Sequence, residues 1–285
     1  MRTRFAPSPT GPLHLGHAFS AITAHDMARA AGGVFLLRID DIDRSRARPH
    51  WEDAILGDLR WLGISWDEGL RRQSDHLDSY AAALDTLAAR GLTYPCSCRR
   101  RDIEAAASAP QEGDGTRTHG PDGRIYPGTC RGRPMSAMRD GDALRLDVAR
   151  AFPDLDIRFE ETGPAHAGHH RVTTHHLAAH VGDPVLARPQ MGASYHFSVV
   201  IDDAAQSVTH VVRGEDLFEA AFLHAALHHL LGTPVPAFHH HRLIRDEDGK
   251  RLAKRDDARA LSTYRAVGAS PADIRRMLGL PLHLS

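Results

Sequence analysis

The sequence predicts an α/β protein whose central sheet is parallel. A short strand is expected at 2–6, and the apolar, β-prone run at 34–39 has the composition of a buried strand. A helix is expected between them, from about His14 to Ala30, because apolar residues recur on one of its faces. A strand, a helix and a strand within about 40 residues make a βαβ unit, in which the two strands run parallel.

Length and composition narrow the class of protein. The chain has 285 residues, which at roughly 150 residues per domain corresponds to about two domains. Hydrophobic residues make up 42% and charged residues 25%, proportions that exclude an intrinsically disordered chain. The 35 basic and 36 acidic residues give a net charge of -1. This balance argues against a generally basic nucleic-acid-binding surface but allows a local basic groove.

The sequence predicts neither a membrane span nor an export signal. No stretch approaches the ~18 apolar residues of a transmembrane helix, and residues 1–7 lack the apolar core of a secretory signal. We therefore expect a cytoplasmic protein with no membrane partner. As a separate expectation, we take the protein to be a monomer. In that reducing compartment its three cysteines are expected to be thiols or metal ligands rather than disulfides.

Further helices and strands alternate along the rest of the chain. Helices are expected over 51–62, 74–90 and 217–231 and from Ser270-Pro271 onward, and strands over 144–148, 157–159, 194–201 and 208–212. The segment 106–124 is rich in glycine, proline, serine and charge, and is expected to be a long loop.

The loop between the first strand and the first helix predicts a phosphate site. Backbone N–H groups and the helix dipole favour an anion at a helix N-terminus. His14 and His17 are three residues apart and share one helix face, so both can donate hydrogen bonds to a phosphoryl group. A helix with two surface histidines is the alternative for this pattern alone.

A basic turn follows near the end of the chain. Lys250, Arg251, Lys254 and Arg255 lie close together after an Asp-Gly turn. Four cations on such a turn can close over a polyphosphate and stabilise departing pyrophosphate, whereas in isolation the same run is typical of a solvated surface turn.

The cysteines predict a zinc site. Cys96, Cys98 and Cys130 fall within one short window, and thiolates suit structural zinc, which takes four tetrahedral ligands. Chemistry alone nominates His119 as the fourth ligand, and three unmetallated thiols remain the alternative.

A dense group of histidines offers a second metal site. Surface histidines that titrate near pH 6.5 are the favoured interpretation, because no strong ligand spacing stands out. Its members are His166, His169, His170, His175, His176 and His180.

Taken together, the phosphate loop and the basic turn resemble the class I aminoacyl-tRNA synthetases and, among them, the glutamyl-tRNA synthetases. The string from Arg4 to Gly11 resembles the opening of that family, 14–17 its nucleotide-binding signature and 251–255 its mobile lysine loop. Similar strings at 37–43, 195–203 and 212–216 occur in the order of the family.

The resemblance implies an architecture. It implies a class I Rossmann-like nucleotide-binding domain, an inserted α+β domain carrying a zinc loop, and a short helical C-terminal remnant. The expected divisions are 1–92 with 182–235 for the catalytic domain, 93–181 for the insertion, and 236–285 for the lysine loop and remnant. No room is expected for the helical anticodon-binding half of a glutamyl-tRNA synthetase, because only 30 residues follow Arg255.

The resemblance also implies roles for individual residues. It makes Tyr126 the fourth zinc ligand in preference to His119. Asp40 stands where the family usually has Glu, and Ala253 where it usually has Ser. The expected glutamate-binding residues are Arg4, Phe5, Ala6, Pro7, Ser8, Asp40, Tyr195 and Arg213. The expected ATP-binding residues are Thr10, His14, Gly16, His17 and Lys254, of which His14, His17 and Lys254 would be catalytic.

The shortened chain resembles the branch of the family that modifies tRNA(Asp), the glutamyl-queuosine-tRNA(Asp) synthetases. This resemblance implies activation of L-glutamate with ATP and Mg²⁺, structural Zn²⁺, and transfer of glutamate to queuosine at the wobble position. Two alternatives stay open, a truncated synthetase charging the 3′ end of tRNA(Glu) or tRNA(Gln) and a non-catalytic RNA-binding paralogue. RNA contact is expected from the arginines around the cysteines, which are Arg99, Arg100, Arg101, Arg124, Arg131 and Arg133.

Overall fold

A computed structural model describes residues 1–107, 119–121, 123–244 and 259–282. The strands of these residues are β1 (Arg2–Phe5), β2 (Val34–Ile39), β3 (Arg71–Arg72), β4 (Thr93–Cys96), β5 (His119–Gly120), β6 (Gly123–Arg124), β7 (Ala143–Leu146), β8 (Asp156–Glu161), β9 (Gly168–Thr173), β10 (Val185–Ala187), β11 (His210–Gly214) and β12 (Ala237–His241). The helices are α1 (Leu15–Ala30), α2 (Pro49–Trp61), α3 (Leu77–Ala89), α4 (Arg100–Ala107), α5 (Val148–Ala151), α6 (Thr174–His180), α7 (Tyr195–Ala205), α8 (Phe218–Leu230), α9 (Leu261–Ala266) and α10 (Pro271–Met277).

The predicted βαβ unit is present and confirms the parallel sheet. Strand β1 pairs in parallel with β2, which pairs in parallel with β3. On its other side, β1 lies along β11, where the backbone N–H of Thr209 donates to the carbonyl of Arg2 at 3.0 Å. Strand β11 pairs in parallel with β12. The carboxyl ends of β1, β2, β11 and β12 therefore meet at one edge, the usual position of a ligand site in such sheets.

Residues 194–201 were expected as a strand, and this prediction is wrong because they begin helix α7. The Ser194 hydroxyl caps the helix by accepting the backbone N–H of Phe197 at 3.4 Å. Seven of the eleven residues of α7 are buried, so apolar and polar residues do not separate onto two clear faces and the segment resembles a buried strand in sequence. The strand expected over 208–212 starts two residues later, as β11.

Strand pairing links residues 93–181 to the segments on either side. Strands β4 and β7 form an antiparallel sheet with β10, which follows residue 181. Strands β8 and β9 form an antiparallel pair, and β8 also runs parallel to β12. The division of the chain at residues 92, 181 and 235 therefore stays a prediction.

The two last helices pack against α1. Ser270 and Asp273 form the capping box of α10, which confirms the helix start expected there. Arg275 donates to both carboxylate oxygens of Asp26 in α1, at 2.6 and 2.9 Å. The backbone N–H of Leu261 donates to the carbonyl of Leu13 at 2.8 Å, so the chain returns to the start of α1.

Two predicted segments lie partly or wholly outside the described residues. The basic turn with Lys250, Arg251, Lys254 and Arg255 lies wholly outside them, and the loop expected at 106–124 is described only near its ends, where β5 pairs with β6. Among the helices of the described ranges, none is both long enough and apolar enough to span a bilayer.

Candidate active site

A cavity of about 450 Å³ opens where the carboxyl ends of the parallel strands face the N-terminus of α1. Its wall brings together all the predicted glutamate- and ATP-site residues that the structure describes. They are Arg4, Phe5, Ala6, Pro7, Ser8, Thr10, His14, Gly16, His17, Asp40, Tyr195 and Arg213. The remaining predicted residue, Lys254, lies outside the described residues.

His14 and His17 form the cap of α1. The Nδ1 atom of His14 accepts the backbone N–H of Gly16 at 3.1 Å, and Nδ1 of His17 accepts the backbone N–H of His14 at 3.2 Å. Each neutral ring therefore carries its proton on Nε2, from which it can donate to a phosphate. A Cβ atom on Gly16 would lie 3.0 Å from the His14 ring, so glycine gives this ring its space. The first turn of α1 has no acidic residue, which favours an anion there.

A network of buried charges forms the floor of the cavity. Arg38 has no exposed surface, and it donates to Asp40 at 2.7 Å and to Asp203 at 2.6 Å. Arg4 donates from Nε to Asp203 at 3.0 Å and from Nη1 to the carbonyl of Val212 at 3.2 Å. Asp203 in α7 is therefore shared by guanidiniums from β1 and β2, and it ties the two strands to the helix.

A second buried carboxylate, Asp202, extends the network. Asp202 accepts the Tyr80 hydroxyl at 2.8 and 2.9 Å, the Gln73 amide at 2.9 Å and the Arg71 guanidinium at 2.8 Å. It is fully buried and lies 3.8 Å from Arg38. This arrangement satisfies the charge of Asp202 and fixes α7 relative to α3.

The network gives the carboxyl groups of Asp40 and Asp203 different pKa values. Burial raises the pKa of Asp40 to about 6, because Arg38 offsets only part of the desolvation. Burial also acts to raise the pKa of Asp203, but the charges of Arg4 and Arg38 outweigh it and hold the value at about 2. Both groups are therefore ionised at neutral pH.

Arg213, at the end of β11, has a different environment. It is 6% exposed and donates to His240 and His224 at 2.9 Å each, and to the carbonyl of Leu217 at 3.1 Å. All three partners are neutral acceptors. Among the described residues, no carboxylate oxygen lies within the 4.0 Å of an ion pair from its nitrogens. Arg213 therefore presents a buried positive charge to the cavity without a carboxylate partner.

The three cysteines come together away from the cavity. Their sulfur atoms lie within 4.8 Å of one another, and those of Cys98 and Cys130 are 3.6 Å apart. The Tyr126 hydroxyl lies 3.3 Å from the sulfur of Cys96 and 3.4 Å from that of Cys98. A tetrahedral zinc ion holds its sulfur ligands about 3.8 Å apart, so this donor set fits the metal.

The candidate histidines do not cluster in this way. Within the described residues, the cysteines are the one group of at least three His, Cys, Asp or Glu side chains that could hold a metal, and His119 is not part of it. The histidines between 166 and 180 are exposed or half-buried. His166 stacks on Phe218 and His176 on Phe222, which accounts for part of the group by packing.

Of the arginines that are expected to contact RNA, two form ion pairs with buried aspartates. Arg131 pairs with Asp183 at 2.7 Å and Arg133 with Asp142 at 2.8 Å. Arg99, Arg100 and Arg124 line a second cavity of about 1170 Å³ beside the cysteines. Arg101 is 80% exposed and lies 3.5 Å from Asp102.

Sequence reasoning gave no role to several residues that build the site. Arg38, Asp202 and Asp203 lie within strings that the family resemblance includes, and a charged residue inside an apolar strand or helix is the signal that could have found them. His224 and His240 carry no such signal, because each is one histidine of many in this chain.

The model of the class I tRNA synthetase catalytic domain (E and Q) matches residues 1–281. The chain belongs to this family. Its members are ligases, and the nucleotide-site resemblance at the start of α1 is consistent with that membership.

Relatives and solved structures are similar to this synthetase over most of its length. It is 65% identical to the Glutamyl-Q tRNA(Asp) synthetase of Rhodobacter capsulatus, over 98% of this chain and 100% of that protein. It is 42% identical to the protein of the same name from Symbiobacterium thermophilum, over 95% of this chain and 83% of that protein.

The solved structures share the fold. A glutamate tRNA ligase of Elizabethkingia meningosepticum, solved in complex with its amino acid, is 27% identical with a TM-score of 0.76. The match covers 97% of this synthetase but 60% of the ligase, so the chain spans about three fifths of that solved protein. The methionyl-tRNA synthetase of Mycobacterium tuberculosis, 12% identical with a TM-score of 0.61, shares the fold.

Removing the shared carboxylate should destabilise the protein strongly. We expect Asp203→Asn to lower the free energy of unfolding by about 3–5 kcal/mol, because it leaves two buried guanidiniums without their common counter-charge. Asp156→Asn is the matched control, because Asp156 pairs with Arg171 where the two side chains are 56% and 61% exposed. That variant should unfold at almost the same urea concentration as the wild type, because an exposed ion pair contributes little to stability. Urea unfolding at pH 7 measures both, and equal losses would contradict this interpretation of the network.

Proposed function

We propose that this synthetase activates glutamate with ATP and transfers the glutamyl group to queuosine at the wobble position of tRNA(Asp). The observation that carries the proposal is the buried Arg213 charge, which lacks a carboxylate partner and faces a cavity shared with the N-terminus of α1. The names of the relatives that are 65% and 42% identical support the choice of acceptor.

Glutamate binding uses the charges of the cavity wall. Arg213 pairs with the side-chain carboxylate, since a guanidinium matches its geometry. Tyr195, 38% exposed on the same wall, adds a hydrogen bond. Asp40 is ionised at neutral pH and accepts the α-ammonium group. Arg4 and residues 5–8 line the remaining wall.

ATP occupies the end of the cavity next to α1. Its phosphates receive hydrogen bonds from His14 and His17 and from the N-terminus of α1, with Thr10 and Gly16 beside them. Ile244 lines the cavity and Ala260 bridges His14 at the start of α1, whereas Lys254 lies between them in sequence, outside the described residues. The family resemblance assigns Lys254 to the phosphates, and this assignment is part of the proposal.

The reaction has two transfers. An oxygen of the glutamate α-carboxylate attacks the α-phosphorus of ATP, the bond to the bridging oxygen breaks, and pyrophosphate leaves. A hydroxyl of the queuosine cyclopentenediol then attacks the activated carbonyl, loses its proton, and displaces AMP. His14, His17 and Lys254 stabilise the phosphate charge, so catalysis rests on positioning and electrostatics. Mg²⁺ bound to ATP would neutralise part of the phosphate charge.

Zinc has a structural role in this proposal. Cys96, Cys98 and Cys130 hold the ion, and Tyr126 supplies the fourth ligand because its hydroxyl already lies against two of the sulfurs. When bound, the ion holds β4 and residues 126–130 together. The inserted α+β domain with its zinc loop and the helical C-terminal remnant of α9 and α10 belong to the same proposal.

RNA contacts are assigned to the second cavity. Arg99, Arg100 and Arg124 line it and supply phosphate contacts that the net charge of -1 does not provide. The enzyme acts on tRNA as a monomer in the cytoplasm.

Transfer of labelled glutamate tests the acceptor. With ATP, the full chain should label tRNA(Asp) from queuosine-competent cells and leave tRNA(Asp) from queuosine-deficient cells unlabelled, because the attacking hydroxyl is on queuosine. Acid-precipitable label on each tRNA is the measurement.

Two controls separate the alternatives. Equal labelling of both tRNA pools, or labelling of tRNA(Glu) that periodate treatment of the 3′ end abolishes, would leave a truncated 3′-end synthetase. Absence of glutamate-dependent pyrophosphate exchange would leave a non-catalytic RNA-binding protein.

Two variants separate the candidates for the fourth zinc ligand. Tyr126→Phe should lose zinc to a chelator that leaves the wild-type protein loaded, because it removes one donor atom. His119→Ala should retain zinc as the wild type does. Zinc per chain, measured by elemental analysis during chelator titration, decides the question. Loss from His119→Ala with retention in Tyr126→Phe would reverse the assignment, and a zinc-free wild type would remove it.

A further inference from the structure

The guanidinium of Arg213 is held between two imidazole rings. Its Nε donates to Nε2 of His240 and its Nη1 to Nδ1 of His224, each at 2.9 Å. Its Nη2 donates to the carbonyl of Leu217 at 3.1 Å. Three hydrogen bonds in different directions fix both the plane and the rotation of the group. One N–H on each terminal nitrogen remains for a ligand or for the nearby Tyr195.

The first ring, His240, is anchored by Glu161. Because Nε2 of His240 accepts from Arg213, its proton lies on Nδ1, which donates to Glu161 at 2.5 Å. Glu161 also accepts the backbone N–H groups of His240 and Gly163. Burial acts to raise the pKa of Glu161, but these hydrogen bonds hold it at about 2, so the anchor stays ionised. Strand β8 thus orients a ring on β12.

The second ring, His224, is anchored by another histidine. Because Nδ1 of His224 accepts from Arg213, its proton lies on Nε2, which donates to Nδ1 of His196 at 2.9 Å. Both rings are buried. Burial and the charge of Arg213 lower the pKa of His224 well below its usual value, which keeps the ring a neutral acceptor. Helices α7 and α8 therefore orient Arg213 from the opposite side.

Neutral acceptors position a guanidinium without cancelling its charge. Arg38 shows the contrast, because its contacts to Asp40 and Asp203 neutralise it. The charge of Arg213 remains for a ligand, and a bound carboxylate would complete the buried ion pair. A carboxamide offers one neutral oxygen and turns N–H donors toward a cation, so it fits this site poorly.

We propose that His224 and His240 are positioning residues that hold Arg213 for a carboxylate and thereby select glutamate over glutamine. This inference rests on the proposed function, in which Arg213 binds the side-chain carboxylate. The chain of contacts from Glu161 through His240, Arg213 and His224 to His196 carries it.

ATP–pyrophosphate exchange by the full chain tests the proposal, with glutamate and glutamine as substrates. His224→Leu removes the acceptor, and the KM for glutamate should rise about tenfold or more while the KM for ATP stays unchanged. His224→Asn places an amide oxygen near the former Nδ1 position and should restore most of the affinity. His229→Leu, at an exposed position of the same helix, is the control and should behave as the wild type.

The outcomes distinguish the possible failures. The proposal is overturned by a wild-type KM for glutamate in His224→Leu, by a rise in both KM values together, or by no recovery in His224→Asn. If wild-type protein itself lacks glutamate-dependent exchange, the proposed function fails and the inference with it. Should His224→Leu not fold, ¹⁵N spectra of wild-type histidines decide. They should show His224 protonated on Nε2 alone, and protonation on Nδ1 would contradict the proposal.

Discussion

One carboxylate, Asp203, is shared by two buried guanidiniums, and the architecture of the cavity depends on that sharing. Arg4 comes from β1, Arg38 from β2 and Asp203 from α7, so three elements distant in sequence meet at one charge. Each guanidinium alone would be costly to bury, and Asp203, Asp40 and Asp202 supply the compensating charges. This network ties the ends of β1 and β2 to α7.

The same sharing decides which charge remains for a substrate. Because Asp203 and Asp40 lie against Arg4 and Arg38, the guanidinium of Arg213 is left with neutral acceptors. Arg4 and Arg38 are paired with carboxylates and Arg213 is not, so the cavity attracts a single carboxylate to the position of Arg213. The histidines around Arg213 hold it in place without supplying the counter-charge.

The sequence predicts some of this arrangement and misses the rest for physical reasons. The βαβ unit and the capped final helix follow from local patterns, and the structure confirms them. Helix α7 was expected to begin as a strand, since burial of most of its residues obscures the periodicity that would distinguish it. The two histidines that hold Arg213 come from β12 and α8. They come together only in the tertiary structure, so no local sequence pattern predicts the contact. The cysteine site could be predicted because all three cysteines of the chain fall within one short window of sequence.

A crystal structure of the full chain with glutamate and an unreactive ATP analogue would show whether Arg213 binds the side-chain carboxylate. Both oxygens of the side-chain carboxylate should lie within about 3 Å of the terminal nitrogens of Arg213, with the hydrogen bonds to His224 and His240 intact. A side-chain carboxylate bound instead to Arg4, with Arg213 contacting only its histidines and Leu217, would contradict it.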